Sequence, residues 1–150
     1  MLIAAIASVV IASCYDGDTC TTTTGERVRL ACIDTPELVG MRAEPMPARA
    51  ARDHLRNLVV GKKVGIRRIT KDRYGRTVTE LFLGKTNVQQ EMVVSGHAEV
   101  FWRYSYQCPW TEGVWGRFEA SPLSRRGSEI TARIYLTTAA GTTASSSVFD

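Results

Sequence analysis

The sequence has no apolar run long enough to cross a bilayer as a helix, so a protein with helical membrane spans is not expected. It has only two histidines, His54 and His97, and neither lies in a pattern typical of a histidine-based metal site or a Ser-His-Asp triad. With 150 residues, of which 44% are hydrophobic and 23% charged, the chain has the size and composition of one soluble globular domain.

The cysteines lack the C-x-x-C spacing, which argues against a zinc site and against a thioredoxin-type motif. There are four of them: Cys14, Cys20, Cys32 and Cys108. An even number permits disulfides in an exported protein, but the pairing cannot be read from the sequence. Cys32 lies within an apolar run and is expected to be a small buried hydrophobe.

The apolar start of the chain has two interpretations. Residues 11–14 (Ile-Ala-Ser-Cys) resemble a bacterial lipoprotein cleavage box, but no Lys or Arg precedes them, as a signal peptide requires. The β-branched residues 9–11 can instead form a first strand, and this interpretation is preferred; the alternative is that residues 1–12 are a partial, truncated export signal. An extracytoplasmic location, secreted or anchored to the envelope, is favoured, and a cytoplasmic location stays open.

Positive charge is concentrated in one segment. Residues 42–76 contain eleven Lys and Arg against three acidic residues, a net +8, whereas the whole chain carries +4. Such a field suits a polyanion such as nucleic acid. On charge alone, a solvated helix face followed by a basic hairpin explains the segment as well.

Periodicity predicts elements in the order β-β-β-α-β-β-α-β, followed by a weaker last element. Residues 27–33 alternate with period two, so Arg29 is expected on the face opposite Val28 and Leu30. Further strands or extended segments are expected over 8–26, 63–70, 77–83 and 98–104.

Two helices are predicted between these strands. Residues 37–47 are expected to form a loop, and apolar spacing predicts an amphipathic helix over 48–60. A second helix is expected to start at Asn87, with Gln90 completing a capping pattern. Strands with interleaved helices predict an OB-type barrel within one domain, residues 1–127. Residues 128–150, rich in Thr, Ala and Ser, are expected to be a poorly ordered tail.

Acidic residues follow two of the predicted strands. Asp18 lies in the turn Asp16-Gly17-Asp18-Thr19, and Asp34 is followed by Thr35, Pro36 and Glu37. If the strands are neighbours, Asp18, Asp34 and the Thr35 carbonyl offer an oxygen-rich site suited to Ca²⁺. Glu37 could orient or deprotonate a water beside the metal. Each motif alone is also an ordinary turn signal.

Arginine and aromatic residues form a second group of candidates. Arg29 lies on the polar face of its strand, and Arg76 lies in the tight turn 72–76. Arginines stabilise the charge that develops on a phosphate during phosphoryl transfer. Tyr74, Trp102 and Tyr104 could stack on bases, although a place in the core or at its rim explains them equally well.

These motifs resemble the staphylococcal nuclease (thermonuclease) family. The similar segments are Tyr15–Thr19 (YDGDT), Val28–Glu37 (VRLACIDTPE), Asp72–Arg76 (DRYGR) and Asn87–Tyr104 (NVQQEMVVSGHAEVFWRY). They occur in the family's order and spacing, and the resemblance extends from about Ser8 to Cys108.

The resemblance implies a five-stranded OB barrel with packed helices, an α+β fold. It also implies a Ca²⁺-dependent endonuclease that acts on DNA and RNA, prefers single-stranded regions and leaves 3′-phosphate ends. By motif, calcium would be held by Asp18, Asp34 and the Thr35 carbonyl. The residues that would act on water and phosphate are Glu37, Arg29 and Arg76. Those that would hold the nucleotide are Arg73, Tyr74 and Tyr104, with Trp102 where the family usually has tyrosine. No protein partner is implied, and a monomer is expected.

The late part of the chain departs from the family. Residues 118–120 begin a run similar to the family's last helix, but Pro122 interrupts it and no Trp follows Gly127. The third helix is expected to be short, kinked or missing.

Three functions stay open. An active nuclease ranks first, because every catalytic position carries the residue type that the chemistry needs. A non-catalytic OB-fold module that binds nucleic acid ranks second. An envelope lipoprotein that uses the barrel for protein interaction ranks third, since only the box at Cys14 supports it.

Overall fold

The computed structural model describes residues 6–114. Its strands are β1 (Ala7–Cys14), β2 (Thr19–Thr22), β3 (Arg27–Leu30), β4 (Ile33–Asp34), β5 (Lys63–Lys71), β6 (Thr77–Leu83), β7 (Thr86–Asn87) and β8 (Glu99–Val100). Its helices are α1 (Pro45–Val59) and α2 (Val88–Val94), with 3₁₀ helices at Trp102–Gln107 and Pro109–Val114. No helix within residues 6–114 has the length and apolar character needed to span a membrane. The predicted third helix, the boundary at residue 127 and the tail 128–150 lie outside the described residues.

Five strands close into a barrel. β1 pairs antiparallel with β2 and β5, β2 pairs with β3, and β5 pairs with β6. A parallel pairing of β3 with β6 completes the ring. The core includes the fully buried side chains of Ile11, Val28, Leu30, Val64 and Leu81. The predicted five-stranded OB-type barrel with packed helices is confirmed.

The first and third strands agree with their sequence patterns. The strand expected over residues 9–11 is part of β1, which pairs with both its barrel neighbours. In β3, Val28 and Leu30 are fully buried, whereas the Arg29 side chain lies on the other face and is 16% exposed. Burial of alternate residues therefore places a basic side chain on the outer surface of the barrel.

Helix α1 begins three residues earlier than expected. The prolines at 45 and 47 predict a loop and a helix that starts at Ala48, but Pro45 is the first helical residue. Proline is tolerated in a first turn because the amide hydrogens there have no partner within the helix. The buried face of α1 consists of Ala48, Ala51, Leu55 and Val59.

The segment from α2 onward is only partly as predicted. Asn87 caps α2, because its Oδ1 accepts a hydrogen bond from the Gln90 amide at 3.0 Å. The prediction of an extended segment over 98–104 is wrong beyond Val100, because a 3₁₀ helix follows β8. The Tyr104 amide donates to the Phe101 carbonyl at 2.9 Å, so local turns replace strand pairing there.

Two disulfides join all four cysteines. Cys14–Cys20 links β1 to β2, and Cys32–Cys108 links the turn before β4 to the junction of the two 3₁₀ helices. The expectation that Cys32 is merely a small buried hydrophobe is wrong, because the fold brings Cys108, 76 positions away, next to it. A Cys14 sulfur bonded to Cys20 cannot also carry the lipid that a lipoprotein box requires.

We expect the two disulfides to stabilise the fold unequally. Cys32–Cys108 spans 76 positions and Cys14–Cys20 spans 6. Crosslinking the longer loop removes more entropy from the unfolded chain. The contribution to the free energy of unfolding should therefore be about 4 kcal/mol for Cys32–Cys108 and about 2 kcal/mol for Cys14–Cys20. Urea denaturation of the two double Cys→Ala variants measures the free energy of unfolding. A larger loss from the Cys14–Cys20 pair would contradict this expectation.

Two histidines connect the helical layer. His54 on α1 and His97 after α2 stack with ring centroids 4.4 Å apart. Nε2 of His54 is buried and has no hydrogen-bond partner within the described residues. Burial, followed by the charge of His54, lowers the pKa of His97. The folded protein therefore resists protonation of His97.

The contribution of His97 to the free energy of unfolding should fall as the pH drops below about 6.5, the ordinary histidine pKa. In the unfolded chain His97 binds a proton at the ordinary histidine pKa, whereas in the folded protein it binds that proton only at a lower pH, so acid favours unfolding. Urea denaturation of the protein and of His97→Gln, in steps from about pH 8 to about pH 5, isolates this contribution. The difference in free energy of unfolding between the unmodified protein and His97→Gln should become smaller as the pH is lowered. A difference that stays constant with pH would show that protonation of His97 does not affect stability.

Candidate active site

The Asp16–Asp18 turn packs tightly against α1 and the residue after β4. A Cβ at Gly17 would lie 2.9 Å from Cβ of Ala51 and 2.9 Å from Cγ2 of Thr35, so a larger residue would force a shift. Oδ1 of Asp16 accepts a hydrogen bond from the Asp18 amide at 3.0 Å, as in an Asx turn. Glycine and aspartate at these positions thus hold Asp18 beside Thr35.

The Asp18 carboxylate is buried, with 6% of the residue exposed. Its oxygens accept hydrogen bonds from the hydroxyls of Thr19 at 3.0 Å and Thr35 at 2.9 Å. Burial nevertheless raises the pKa of Asp18 to about 6; Arg29 and the hydroxyls oppose the rise, and Asp16 adds to it. Additional positive charge beside Asp18 would therefore be favourable.

Arg29 joins the two predicted metal-binding aspartates. Its Nη2 lies 3.2 Å from Oδ2 of Asp18 and 3.6 Å from Oδ1 of Asp34. The guanidinium also donates to the carbonyls of Leu30 at 2.7 Å and Ile33 at 3.0 Å, which hold it between the end of β3 and the start of β4. The fold therefore brings Asp18, Asp34 and Arg29 together, although they come from three different segments.

The oxygen donors at this point fit a hard divalent cation. Asp18 and Asp34 already share one positively charged nitrogen, so a single cation is within reach of both. Thr35 touches Asp18 through its hydroxyl. Within residues 6–114, no group of three or more His, Cys, Asp or Glu side chains could hold a metal. A cation here would therefore need backbone and water oxygens, as calcium commonly does.

Glu37 lies in the loop before α1 and its side chain is exposed. The loop is fixed by a hydrogen bond from the Glu44 amide to the Glu37 carbonyl at 3.0 Å and by a bridge between Glu37 and Ala43. The structure does not join the Glu37 carboxylate to Asp18 or Arg29 by a hydrogen bond or ion pair. Within the described part of the chain, this carboxylate has no such partner at all, so its oxygens are available to water.

Arg76 reaches the Asp18 turn through Thr19. Its Nε donates to Asp72 at 2.7 Å, and its Nη1 donates to Oγ1 of Thr19 at 3.3 Å. Thr19 in turn donates to Asp18. Although partial burial opposes it, hydrogen bonds from Arg76 and from the Tyr74 amide hold the pKa of Asp72 below its usual value. Asp72 therefore stays charged and fixes Arg76 towards the site.

Tyr74 lies between two arginines at the tip of the β5–β6 turn. Nη2 of Arg73 donates to its hydroxyl at 2.6 Å, and the Arg73 guanidinium lies 4.8 Å from the ring centroid. The Arg76 guanidinium lies 5.3 Å from the same centroid. These contacts bring three predicted site residues together, and 59% of Tyr74 is still exposed.

Trp102 and Tyr104 come from a different element, the first 3₁₀ helix. They are 38% and 39% exposed, and Tyr104 packs edge-on against Phe101 at 5.1 Å. This helix follows β8, in which Glu99 pairs with Asp34 of β4. The predicted aromatic surface therefore derives from two separate elements, one of which is connected to the strand that carries Asp34.

Thr19, which links Arg76 to Asp18, is a site residue that the sequence motifs did not predict. Thr19 is directly opposite Arg29 in the β2–β3 pairing, so both side chains lie on one face of the barrel. The signal was the register of that pairing, which the sequence does not specify without the turn geometry.

The fold and the site define an OB-type barrel whose surface combines neighbouring carboxylates with arginines suited to a phosphorylated ligand. The chain belongs to the staphylococcal nuclease homologue family, whose sequence model matches residues 27–112. All the predicted site residues except Asp18 lie within that range.

Several curated relatives are similar to this chain. An uncharacterized endonuclease of Haemophilus influenzae is 37% identical over 95 residues, which cover 61% of this chain and 51% of that protein. A staphylococcal-like nuclease of Arabidopsis thaliana is 37% identical over 79 residues, covering 52% of this chain and 22% of that protein. An uncharacterized endonuclease of Escherichia coli is 35% identical over 80 residues, covering 53% of this chain and 49% of that protein. The chain thus spans about half the length, or less, of these relatives.

Proposed function

We propose that the chain is a calcium-dependent endonuclease that hydrolyses phosphodiester bonds of DNA and RNA. The observation that carries the proposal is the position of Arg29, 3.2 Å from Asp18 and 3.6 Å from Asp34. It places an anion-binding guanidinium beside two carboxylates suited to a divalent cation, and phosphodiester hydrolysis uses both. Membership of the staphylococcal nuclease homologue family supports it further.

Asp18, Asp34 and the Thr35 carbonyl would hold Ca²⁺, which when bound supplies positive charge to the phosphate. In its absence, Arg29 neutralises the two carboxylates in part. The raised pKa of the buried Asp18 supports the need for further positive charge at this point.

Side chains of this protein remove the proton from the attacking water and stabilise the phosphate. Glu37 takes one proton from a water molecule, whose oxygen forms a bond to phosphorus. The bond from phosphorus to the 5′ oxygen breaks, that oxygen takes up a proton from solvent, and the phosphate stays on the 3′ end. Arg29 and Arg76 donate hydrogen bonds to the phosphate oxygens, where negative charge accumulates.

The exposed aromatic residues would hold the substrate. Tyr74, Trp102 and Tyr104 offer ring faces for bases, and Arg73 adds a cation beside Tyr74. Bases in a duplex already stack on each other, so single-stranded regions should be preferred. All the residues with a proposed role come from one copy of the chain, so we propose that the active protein is a monomer.

The disulfides favour a location outside the cytoplasm, either secreted or at the envelope. Structural disulfides persist in oxidising compartments and are rare in a reducing cytosol. Both disulfides involve residues that are at least 95% buried, so they are part of the folded core. Fractionation of producing cells, with immunodetection of the chain, tests this location.

The experiment that tests the activity is digestion of single-stranded DNA and of RNA with Ca²⁺ and with a chelator. Cleavage should require Ca²⁺, should be lost in Asp34→Asn, and should give products with 3′-phosphate and 5′-hydroxyl ends. If the protein binds nucleic acid but cuts it under none of these conditions, it is a non-catalytic nucleic-acid-binding module and the nuclease proposal is wrong. Products with 5′-phosphates would overturn the proposed direction of cleavage.

A further inference from the structure

A cavity of about 530 Å³ lies next to the candidate active site. The residues that matter in its lining are Tyr15, Asp16, Thr19, Arg27, Arg56 and Arg76. They come from the β1–β2 hairpin, β3, α1 and the β5–β6 turn. The cavity includes Thr19 and Arg76 but not Asp18, Arg29 or Glu37, so it adjoins the carboxylate site without coinciding with it.

The cavity has an excess of positive charge, since three arginines face a single acid, Asp16. The Arg27 side chain has no hydrogen bond or ion pair among residues 6–114. Arg56 donates from Nε to the Cys14 carbonyl at 2.9 Å, and its nearest acid, Asp53, is 4.0 Å from Nη1. Both guanidinium groups therefore retain donors for an anion.

The register of the barrel relates this cavity to the active site. Arg27 and Arg29 are two residues apart on β3, so they share one face at a separation of about 7 Å. Their partners on β2, Thr21 and Thr19, repeat the same spacing in the next row. Successive phosphates of an extended nucleic-acid strand are separated by a comparable distance. If one phosphate lies at Arg29, the next can lie at Arg27.

We propose that this cavity is a subsite for the nucleotide adjacent to the reactive phosphate in a bound single strand. Arg27 and Arg56 would bind its phosphate, and Tyr15, which is 63% exposed, would stack on its base. The volume suits one nucleotide. Arg76 lines the cavity and donates to Thr19, which in turn donates to Asp18, so it connects the cavity to the candidate active site. The inference rests on the proposed nuclease function, because that function places the reactive phosphate at Arg29.

The test is binding of a fluorescent single-stranded octanucleotide at several salt concentrations, with a chelator present so that nothing is cut. Each of Arg27→Gln and Arg56→Gln should weaken binding about tenfold at low salt. The plot of log affinity against log salt should become shallower by about 0.7 for each phosphate contact that is lost. Arg27→Gln removes no internal contact, so it tests the subsite even if Arg56→Gln, which frees the Cys14 carbonyl, proves unstable.

The matched controls are Lys63→Gln and Lys85→Gln, which remove one exposed charge each from outside the cavity lining. They should change affinity and salt slope much less than Arg27→Gln does. Equal losses in Arg27→Gln and the controls, or no loss in Arg27→Gln, would overturn the subsite. Failure of the unmodified protein to cut with Ca²⁺ would overturn the nuclease proposal instead, and the binding comparison would still decide the subsite.

Discussion

Replacing Arg76 with alanine is expected to lower the rate of Ca²⁺-dependent cleavage of single-stranded DNA by about 10³–10⁵-fold, the range found for arginines that stabilise a phosphoryl-transfer transition state. Asp72 and Thr19 hold the guanidinium in place through bonds of 2.7 and 3.3 Å. A group fixed in this way needs little reorganisation as charge develops on the phosphate.

The measurement is kcat and KM for a short DNA strand, with thermal unfolding as a check on folding. Arg76→Lys keeps the charge but loses the forked donors, so it should recover only a small part of kcat. Arg68→Ala is the matched control, because its exposed ion pair with Glu26 lies outside the candidate site. Retention of more than a tenth of kcat in Arg76→Ala would remove Arg76 from the mechanism.

Replacing Glu37 with glutamine is expected to lower kcat by about 10²–10⁴-fold, the usual contribution of a general base. The substitution keeps the size of the side chain but removes its negative charge and its ability to take a proton. Because Glu37 is exposed and its side chain has no hydrogen bond or ion pair within the described residues, stability should be nearly unchanged. The backbone bond from Glu44 and the bridge to Ala43 do not involve the carboxylate.

Single-turnover cleavage with saturating enzyme separates this loss from any change in substrate binding. Glu44→Gln is the control, since it removes an exposed carboxylate from the end of the same loop. Near-normal cleavage by Glu37→Gln would mean that another group, or the solvent, takes the proton. A loss of octanucleotide affinity in place of a loss of rate would assign Glu37 to substrate binding.

Local patterns predicted much of the fold. Alternation in β3 located Arg29 on the polar face, and the Asn87–Gln90 pattern located the start of α2. These features depend on neighbouring residues, which the sequence displays directly. The proline-containing start of α1 was missed because proline is compatible with both a loop and a first helical turn.

Contacts between distant segments were much harder to predict. The expectation that Asp18 and Asp34 lie close together depended on strands being neighbours, and in the structure both contact Arg29. The Cys32–Cys108 bond and the Thr19–Arg76 contact span 76 and 57 positions, so only the closed barrel determines them. Neither periodicity nor composition contains that information.

The two disulfides connect the redox state of the surroundings to the presence of the site itself. Together they are expected to contribute about 6 kcal/mol, which is comparable to the whole stability of many small domains. One of them, Cys14–Cys20, encloses the turn that carries Asp18. With both bonds reduced, the chain should be largely unfolded, and its carboxylates and arginines would not be assembled. Under the proposed nuclease function and extracytoplasmic location, a cell that makes this chain would have its own nucleic acids protected until the chain reaches an oxidising environment.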